Sequence, residues 1–131
     1  MIDIEKTRGL VVNYVRAHPN TSFVELERLF DKNGIDWKGR QAFYPPEHPG
    51  VLMWYGWSVD MVGLVADLIN DGILELRYCG DFVRNYIVDG KLLRLPLAKS
   101  ARDYRNPHWM PAVIVLGGQC VSADPRRKGN G

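Results

Sequence analysis

The chain of 131 residues is poor in the features that mark secreted and membrane proteins. Its two cysteines, Cys79 and Cys120, show neither metal-ligand spacing nor a dense disulfide framework. We interpret them as reduced thiols, because intracellular proteins rarely keep disulfides. Asp3, Glu5 and Lys6 make the first residues charged, unlike a signal peptide, and no apolar run approaches the roughly 18 residues of a membrane span. We therefore expect a soluble, cytoplasmic protein that does not enter a membrane.

Motifs that mark common enzyme chemistry are also missing. There is no glycine-rich loop of the kind that cradles phosphate groups and no nucleophile elbow. His18, His48 and His108 are scattered and each adjoins a proline, so neither a metal site nor a histidine base is expected. Asp60 and Asp67 stand two helical turns apart, roughly 10 Å, which is too far to share one ion. The sequence predicts no catalytic residue, no metal site and no cofactor.

Positive charge is absent from the middle of the chain. Residues 41–76 contain no lysine or arginine and carry five acidic residues, a local charge of −5. Residues 98–131 carry six basic and two acidic residues, a local charge of +4. The net charge of +2 is too small to indicate nucleic-acid binding by itself, but the chain has an acidic middle and a basic end.

Three helices are predicted, near residues 3–17, 22–33 and 58–71. Asp3 and Ser58 are suitable N-caps for the first and third helices, and Ser22 with Glu25 forms a capping box for the second. Gly72 stands where a left-handed residue ends the third helix, directly before a predicted strand. The sequence therefore predicts a helix that leads straight into a strand.

The third helix is predicted to have two different faces. Apolar residues at helical spacing are expected to face the core: Val59, Val62, Val65, Ala66, Leu68, Ile69 and Ile73. The opposite row is expected to face solvent: Asp60, Leu64, Asp67 and Asp71.

A long aromatic insert, residues 35–57, separates the second and third helices. Pro45, Pro46 and Pro49 preclude a regular helix there, and residues 51–55 are predicted to form a short strand. Long loops in compact domains are often functional. Large aromatic residues nevertheless dominate core burial, so we favour the interpretation that the insert seals a small core.

After the third helix, an antiparallel meander is predicted over residues 73–97. Asp89-Gly90 is a two-residue hairpin signal between predicted strands at 82–88 and 91–97. A C-terminal extension, residues 98–121, contains one more predicted strand at 112–116, and residues 122–131 are predicted to be a flexible basic tail. Residues 1–121 are expected to form a single domain.

The order of these elements resembles the winged-helix (winged helix-turn-helix) superfamily over about residues 3–97. The resemblance rests on the junction L-I-N-D-G-I-L-E-L-R, residues 68–77, and on the segment N-Y-I-V-D-G, residues 85–90. It implies a small α+β fold of three helices followed by an antiparallel wing. It also implies a non-enzymatic regulator associated with nucleic acid.

Two functions remain open at this point. The predicted recognition helix has no basic residue, so contacts to duplex DNA are expected from the wing and the ends of the chain. The candidate DNA-binding residues are Lys38, Arg40, Arg77, Arg84, Arg94, Arg102, Arg105, Arg126, Arg127 and Lys128. Alternatively, the domain is a protein-interaction module or inhibitor that binds a basic partner surface. The candidate partner-binding residues are Asp60, Leu64, Asp67, Asp71, Trp37 and Trp54.

Overall fold

The computed structural model describes residues 3–45, 48, 50–78, 80–98 and 104–118. Its helices are α1 (Ile4–Ala17), α2 (Phe23–Lys32), α3 (Val59–Asn70) and α4 (Val83–Asp89), and a short 3₁₀ turn spans Gly80–Phe82. Its strands are β1 (Lys38–Phe43), β2 (Val51–Leu52), β3 (Trp54–Trp57), β4 (Leu74–Tyr78), β5 (His108–Trp109) and β6 (Ala112–Leu116). The protein is therefore a small α+β domain. The predicted basic tail and both cysteines lie outside the described residues.

The three predicted helices are confirmed, and each begins at its predicted cap. The side chain of Asp3 accepts a backbone hydrogen bond in the first turn of α1 at 3.1 Å. Ser22 and Glu25 form the capping box of α2, with bonds of 3.1 and 2.9 Å. Ser58 Oγ accepts a 3.2 Å bond from the first turn of α3. Each cap satisfies backbone N–H groups that a helix start leaves unpaired.

The predicted junction between α3 and β4 is also confirmed. Gly72 adopts a left-handed φ of 78°, and the backbone N–H of Ile73 donates to the carbonyl of Leu68 at 2.9 Å. These two features form a Schellman motif, which ends the helix and sends the chain into the strand.

The meander predicted beyond β4 is wrong. Residues 83–88 lie in α4, and residues 91–97 contribute only an isolated bridge between Leu97 and Trp109. Gly90 has a φ of 81° and ends α4 instead of turning a hairpin. A left-handed glycine is suited both to a helix C-terminus and to a hairpin turn, and tertiary contacts decide which of the two forms. Asp89 accepts a 2.5 Å hydrogen bond from Ser22, and its helix buries Tyr86 completely.

Tyr86 joins three elements at the centre of the core. Its hydroxyl donates to the carbonyl of Ala112 at 2.5 Å and accepts from the backbone N–H of Phe23 at 3.2 Å. Burial raises its pKa far above the usual value for a tyrosine. The side chain thus links α4 to α2 and β6.

The strand predicted at residues 112–116 is confirmed as β6, and it forms backbone hydrogen bonds along both of its edges. It pairs with β4 in antiparallel register from Leu74↔Leu116 to Tyr78↔Ala112. On its other side, Ile114 and Thr21 exchange backbone hydrogen bonds of 2.8 and 3.0 Å. Thr21 stands directly before α2, so β6 bridges the start of the helical layer and the strand that follows α3.

The aromatic insert folds into short strands that pack on the core. β1 pairs antiparallel with β3, and β2 pairs parallel with β5. The predicted strand at 51–55 forms as part of β2 and β3, with Met53 between them. Gly39 passes so close to α3 that a Cβ there would lie 2.5 Å from the Ser58 Cα. The insert therefore rests directly on the start of α3.

Most of the insert's large aromatic residues seal the core, as predicted. The buried ones are Trp37, Phe43, Trp54 and Trp57, whereas Tyr44 and Tyr55 are exposed. Phe23 of α2 packs among them, with its ring edge against Trp57 at 5.6 Å between centroids and stacked parallel to Trp54 at 6.3 Å.

Candidate partner-binding groove

The faces of α3 differ from those predicted. Its fully buried residues are Met61, Leu64, Val65 and Leu68. Val62, Ala66 and Ile69, which the periodicity placed in the core, are only partly buried, and Val59 is 68% exposed. The buried face is thus rotated by roughly 100°, one residue step, from the predicted one. Val65 and Leu68 are buried as predicted. The prediction was wrong for the other positions because α3 is apolar around most of its circumference, so periodicity alone does not identify the side that meets the core.

The partly buried side of α3 forms the floor of an open groove with a volume of about 540 Å³. Val62, Ala66, Ile69 and Asn70 line it from the helix. One wall is formed by Gln41, Ala42, Phe43, Tyr44 and Pro45, and the other by Leu76 and Tyr78 of β4; Met53 also contributes. The groove therefore lies between the insert and the strand that follows α3, and most of its lining is apolar.

The wall formed by residues 41–45 consists of the last three residues of β1 and the two residues that follow the strand. Within β1, the pairing with β3 shifts register between Gln41 and Ala42, as at a β-bulge. Within the described part of the chain, β1 pairs with β3 alone, which leaves its other edge unpaired. An unpaired edge offers backbone N–H and C=O groups to an incoming segment.

An acidic strip borders the groove on the solvent side of α3. Asp60, Asp67 and Asp71 are exposed, as predicted. At 100° per residue, they project from the helix next to Asn70, on the side away from Val62 and Ile69. Asp71 forms a 3.6 Å ion pair with Arg8. Asp60 and Asp67 make no ion pair with any residue that the structure describes. Two carboxylates beside the groove are thus left for a cationic partner.

The other candidate partner-binding residues do not lie on this surface. Leu64, which was placed in the exposed acidic row, is 4% exposed and packs in the core. Trp37 and Trp54 are 7% and 0% exposed. These positions correct the expectation that the three side chains are available at the surface of the folded domain.

The candidate DNA-binding residues are spread over five segments. Lys38 and Arg40 are exposed on β1, Arg84 on α4, Arg94 after α4 and Arg105 before β5, whereas Arg77 on β4 is half-buried. The remaining candidates, Arg102, Arg126, Arg127 and Lys128, lie outside the described residues. α3 itself contributes no positive charge.

Two further properties concern metals and membranes. Among the described residues, no group of three or more His, Cys, Asp or Glu side chains is placed to hold a metal ion. In the same part of the chain, no helix has the length and apolar character needed to cross a bilayer.

Sequence reasoning found the acidic strip but missed the groove. The signal was present in the third helix, which has more apolar residues than one buried face requires. The sequence does not reveal that β1 and β4 lie on either side of these additional apolar residues of α3. No family model, no curated protein and no solved structure matches the chain.

Proposed function

We propose that the protein is a non-enzymatic interaction module of winged-helix type, which binds a segment of a partner protein in the groove beside α3. The element order supports the winged-helix assignment: α1, α2 and α3 are followed by β4, and β4 pairs antiparallel with β6. In this assignment β4 and β6 are the wing strands, and the chain between them includes α4 and β5 in place of a short turn.

The observation that carries the proposal is the apolar groove on one side of α3, bordered by Asp60 and Asp67, which make no ion pair within the described part of the chain. A helix that enters the major groove of DNA must face phosphates, and Asp60 and Asp67 would be repelled by them. A protein segment meets no such penalty. Covering Val62 and Ile69 removes apolar surface from water, which favours association.

The walls of the groove also specify the chemistry of the partner segment. An extended segment can form backbone hydrogen bonds with the edge of β1 that no described strand pairs with, while its alternate side chains contact α3. The apolar floor favours apolar side chains in the partner segment. Asp60 and Asp67 favour a lysine or arginine of that segment at the margin of the groove. The expected ligand is an extended peptide with alternating apolar residues and a positive charge.

Selection from a library of random displayed peptides tests this proposal. We expect enriched sequences to alternate apolar residues and to carry lysine or arginine. Binding of a selected synthetic peptide, measured by fluorescence anisotropy, should fall at least about tenfold for Ala66→Glu, which places a carboxylate on the groove floor and costs more than about 1.4 kcal/mol of binding free energy.

Charge reversal provides the matched control. The double variant Asp60→Lys, Asp67→Lys should bind the basic peptide more weakly. It should bind more tightly a version of the peptide in which the basic residues are replaced by glutamate. Glu5→Lys reverses an exposed charge on α1, which does not line the groove, and should change both affinities much less than the Asp60→Lys, Asp67→Lys pair does. Peptides that bind Ala66→Glu as tightly as the unmodified protein would refute the groove as the binding site.

A nucleic-acid-associated regulator is the second candidate, supported by the element order and by exposed basic residues such as Arg84 and Arg94. In that case the protein should bind random duplex DNA at low salt. The double variant Arg84→Ala, Arg94→Ala should have a lower affinity for DNA of every sequence, by a similar factor. The slope of log affinity against log salt should also flatten by roughly one unit per lost phosphate contact. Such binding, unaffected by Ala66→Glu, would favour this function over the groove proposal.

A further inference from the structure

A buried carboxylate, Glu27, organises a second polar site that shares no residue with the groove. The residue lies in α2 and is 4% exposed. Its Oε2 atom accepts hydrogen bonds from the indole Nε1 atoms of Trp54 and Trp57 at 2.7 and 2.8 Å. Two donors on one oxygen leave the second oxygen, Oε1, directed toward another partner.

That partner is an ammonium group from the same chain. Lys91 Nζ lies 2.6 Å from Glu27 Oε1. It also lies 4.9 Å from the ring centroid of Trp37 and 5.8 Å from that of Trp54. Both distances fall within the roughly 6 Å over which an aromatic ring attracts a cation. The ammonium is therefore held by one carboxylate oxygen and two indole faces.

The walls of this site are oriented by bonds that do not involve Lys91. Trp37 Nε1 donates to Asp31 Oδ1 at 2.8 Å, and Trp54 is fixed through Glu27. Glu27 and Asp31 both belong to α2, whereas Lys91 follows α4. The site is thus built by α2 and the aromatic insert, and the lysine enters it from another part of the chain.

We propose that Glu27, Trp37 and Trp54 form a binding site for a primary ammonium group, which Lys91 fills in the resting protein and from which the lysine side chain of a partner can displace it. The side chain of Lys91 is 47% exposed, so its stem leads from the site to solvent. Displacement moves the Lys91 ammonium into water and leaves the buried carboxylate paired with the incoming cation, which avoids the cost of an unpaired charge.

The geometry also selects the kind of cation. A contact of 2.6 Å to Oε1 is a hydrogen bond that requires an N–H donor. A quaternary ammonium has no such donor, and an acetylated lysine has no charge to pair with the carboxylate. The site should therefore prefer primary alkylammonium ions over both.

Removing the resident lysine tests the proposal with n-butylammonium as the probe. In Lys91→Ala the site is open, and millimolar n-butylammonium should raise the melting temperature and change tryptophan fluorescence saturably. Tetramethylammonium at the same concentration controls for ionic strength and for cation–π attraction alone, and should have little effect. The unmodified protein should respond at least about tenfold more weakly, because its tethered lysine competes at a high effective concentration.

The double variant Glu27→Gln, Lys91→Ala should lose the response to n-butylammonium. An equal response in this double variant, or an equal response of Lys91→Ala to tetramethylammonium, would overturn the proposal. Should the variants not fold, ¹³C-labelled lysine in the unmodified protein provides the decision. The Lys91 ε-protons should resonate upfield of those of exposed Lys32, because the adjacent Nζ atom lies over two indole rings, and the absence of that shift would also overturn the proposal.

Discussion

The indole Nε1 of Trp54 donates a 2.7 Å hydrogen bond to Glu27, although the two residues stand 27 positions apart in the sequence. Trp54 belongs to the aromatic insert and Glu27 to α2, and both are buried. This bond makes the insert part of the core instead of a loop on its surface. Burial of a carboxylate is tolerated only where such donors satisfy it, so the contact also explains why a charged residue occurs inside α2.

Replacing Glu27 should therefore destabilise the domain strongly. Glu27→Ala leaves the indole N–H groups of Trp54 and Trp57 buried without an acceptor, at about 1–3 kcal/mol each. We expect the free energy of unfolding, measured by urea denaturation, to fall by several kcal/mol. Asp67→Asn, on the exposed acidic strip, should change it by less than about 0.5 kcal/mol. Equal losses in the two variants would contradict the role given to Glu27.

The corrected faces of α3 lead to a second prediction. Leu64→Ala should cost about 2–5 kcal/mol, because Leu64 is fully packed and its truncation leaves a cavity. Ile69→Ala removes a side chain that already lines an open groove, so its cost should be about half of that or less. Thermal and urea unfolding of both variants provide the measurement. A larger loss of unfolding free energy for Ile69→Ala than for Leu64→Ala would instead support the buried face predicted from periodicity.

A pair of glycines tests the contact between the insert and α3. A Cβ on Gly39 would lie 2.5 Å from Ser58 Cα and 2.6 Å from the Trp57 carbonyl oxygen, and backbone atoms cannot move aside cheaply. Gly39→Ala should cost about 1–3 kcal/mol. Gly63, inside α3, has nothing within 4 Å of the same position, so Gly63→Ala should stabilise the protein by about 0.5–1 kcal/mol. Changes of opposite sign in the free energy of unfolding, measured by urea denaturation, would confirm the prediction. No change in Gly39→Ala would contradict it.

Alkaline pH should destabilise the protein partly through Tyr14. Burial, followed by its 2.9 Å hydrogen bond to Glu25, raises the pKa of Tyr14 from 10.0 to about 12. The folded state holds this proton more tightly than the unfolded state. The resulting stability is complete below pH 10.0 and is lost as the pH rises to about 12.

Tyr14→Phe should make that alkaline decline shallower, as seen in urea midpoints measured across the same pH window. Part of the decline should persist, because the pKa of Tyr86 is raised as well. Tyr44→Phe removes an exposed hydroxyl and is the control. An unchanged pH profile in Tyr14→Phe would show that this hydroxyl does not contribute to alkaline unfolding.

Predictions from the sequence succeeded where the deciding interactions are local. The caps at Asp3, Ser22 and Ser58 act within three residues of each helix start, and each predicted helix formed there. The strand at 112–116 was visible as a short apolar run between turn signals. Its partner was not, because the expected meander paired neighbouring segments and β6 instead pairs with β4 from much farther along the chain.

The amino-acid sequence by itself determined the three helices and the helix-to-strand junction at Gly72, since capping and left-handed glycine depend on short-range chemistry. It also indicated that most insert aromatics are buried, because residues with so much apolar area favour the core wherever it forms. Only the tertiary structure decided that Gly90 ends a helix, that Leu64 faces the core and Val62 the groove, and that Lys91 fills the site made by Glu27 and two tryptophans. In each of these cases the local pattern is compatible with two arrangements. Packing against distant residues selects the observed one, which buries Tyr86, fills the core and pairs the buried carboxylate at the same time.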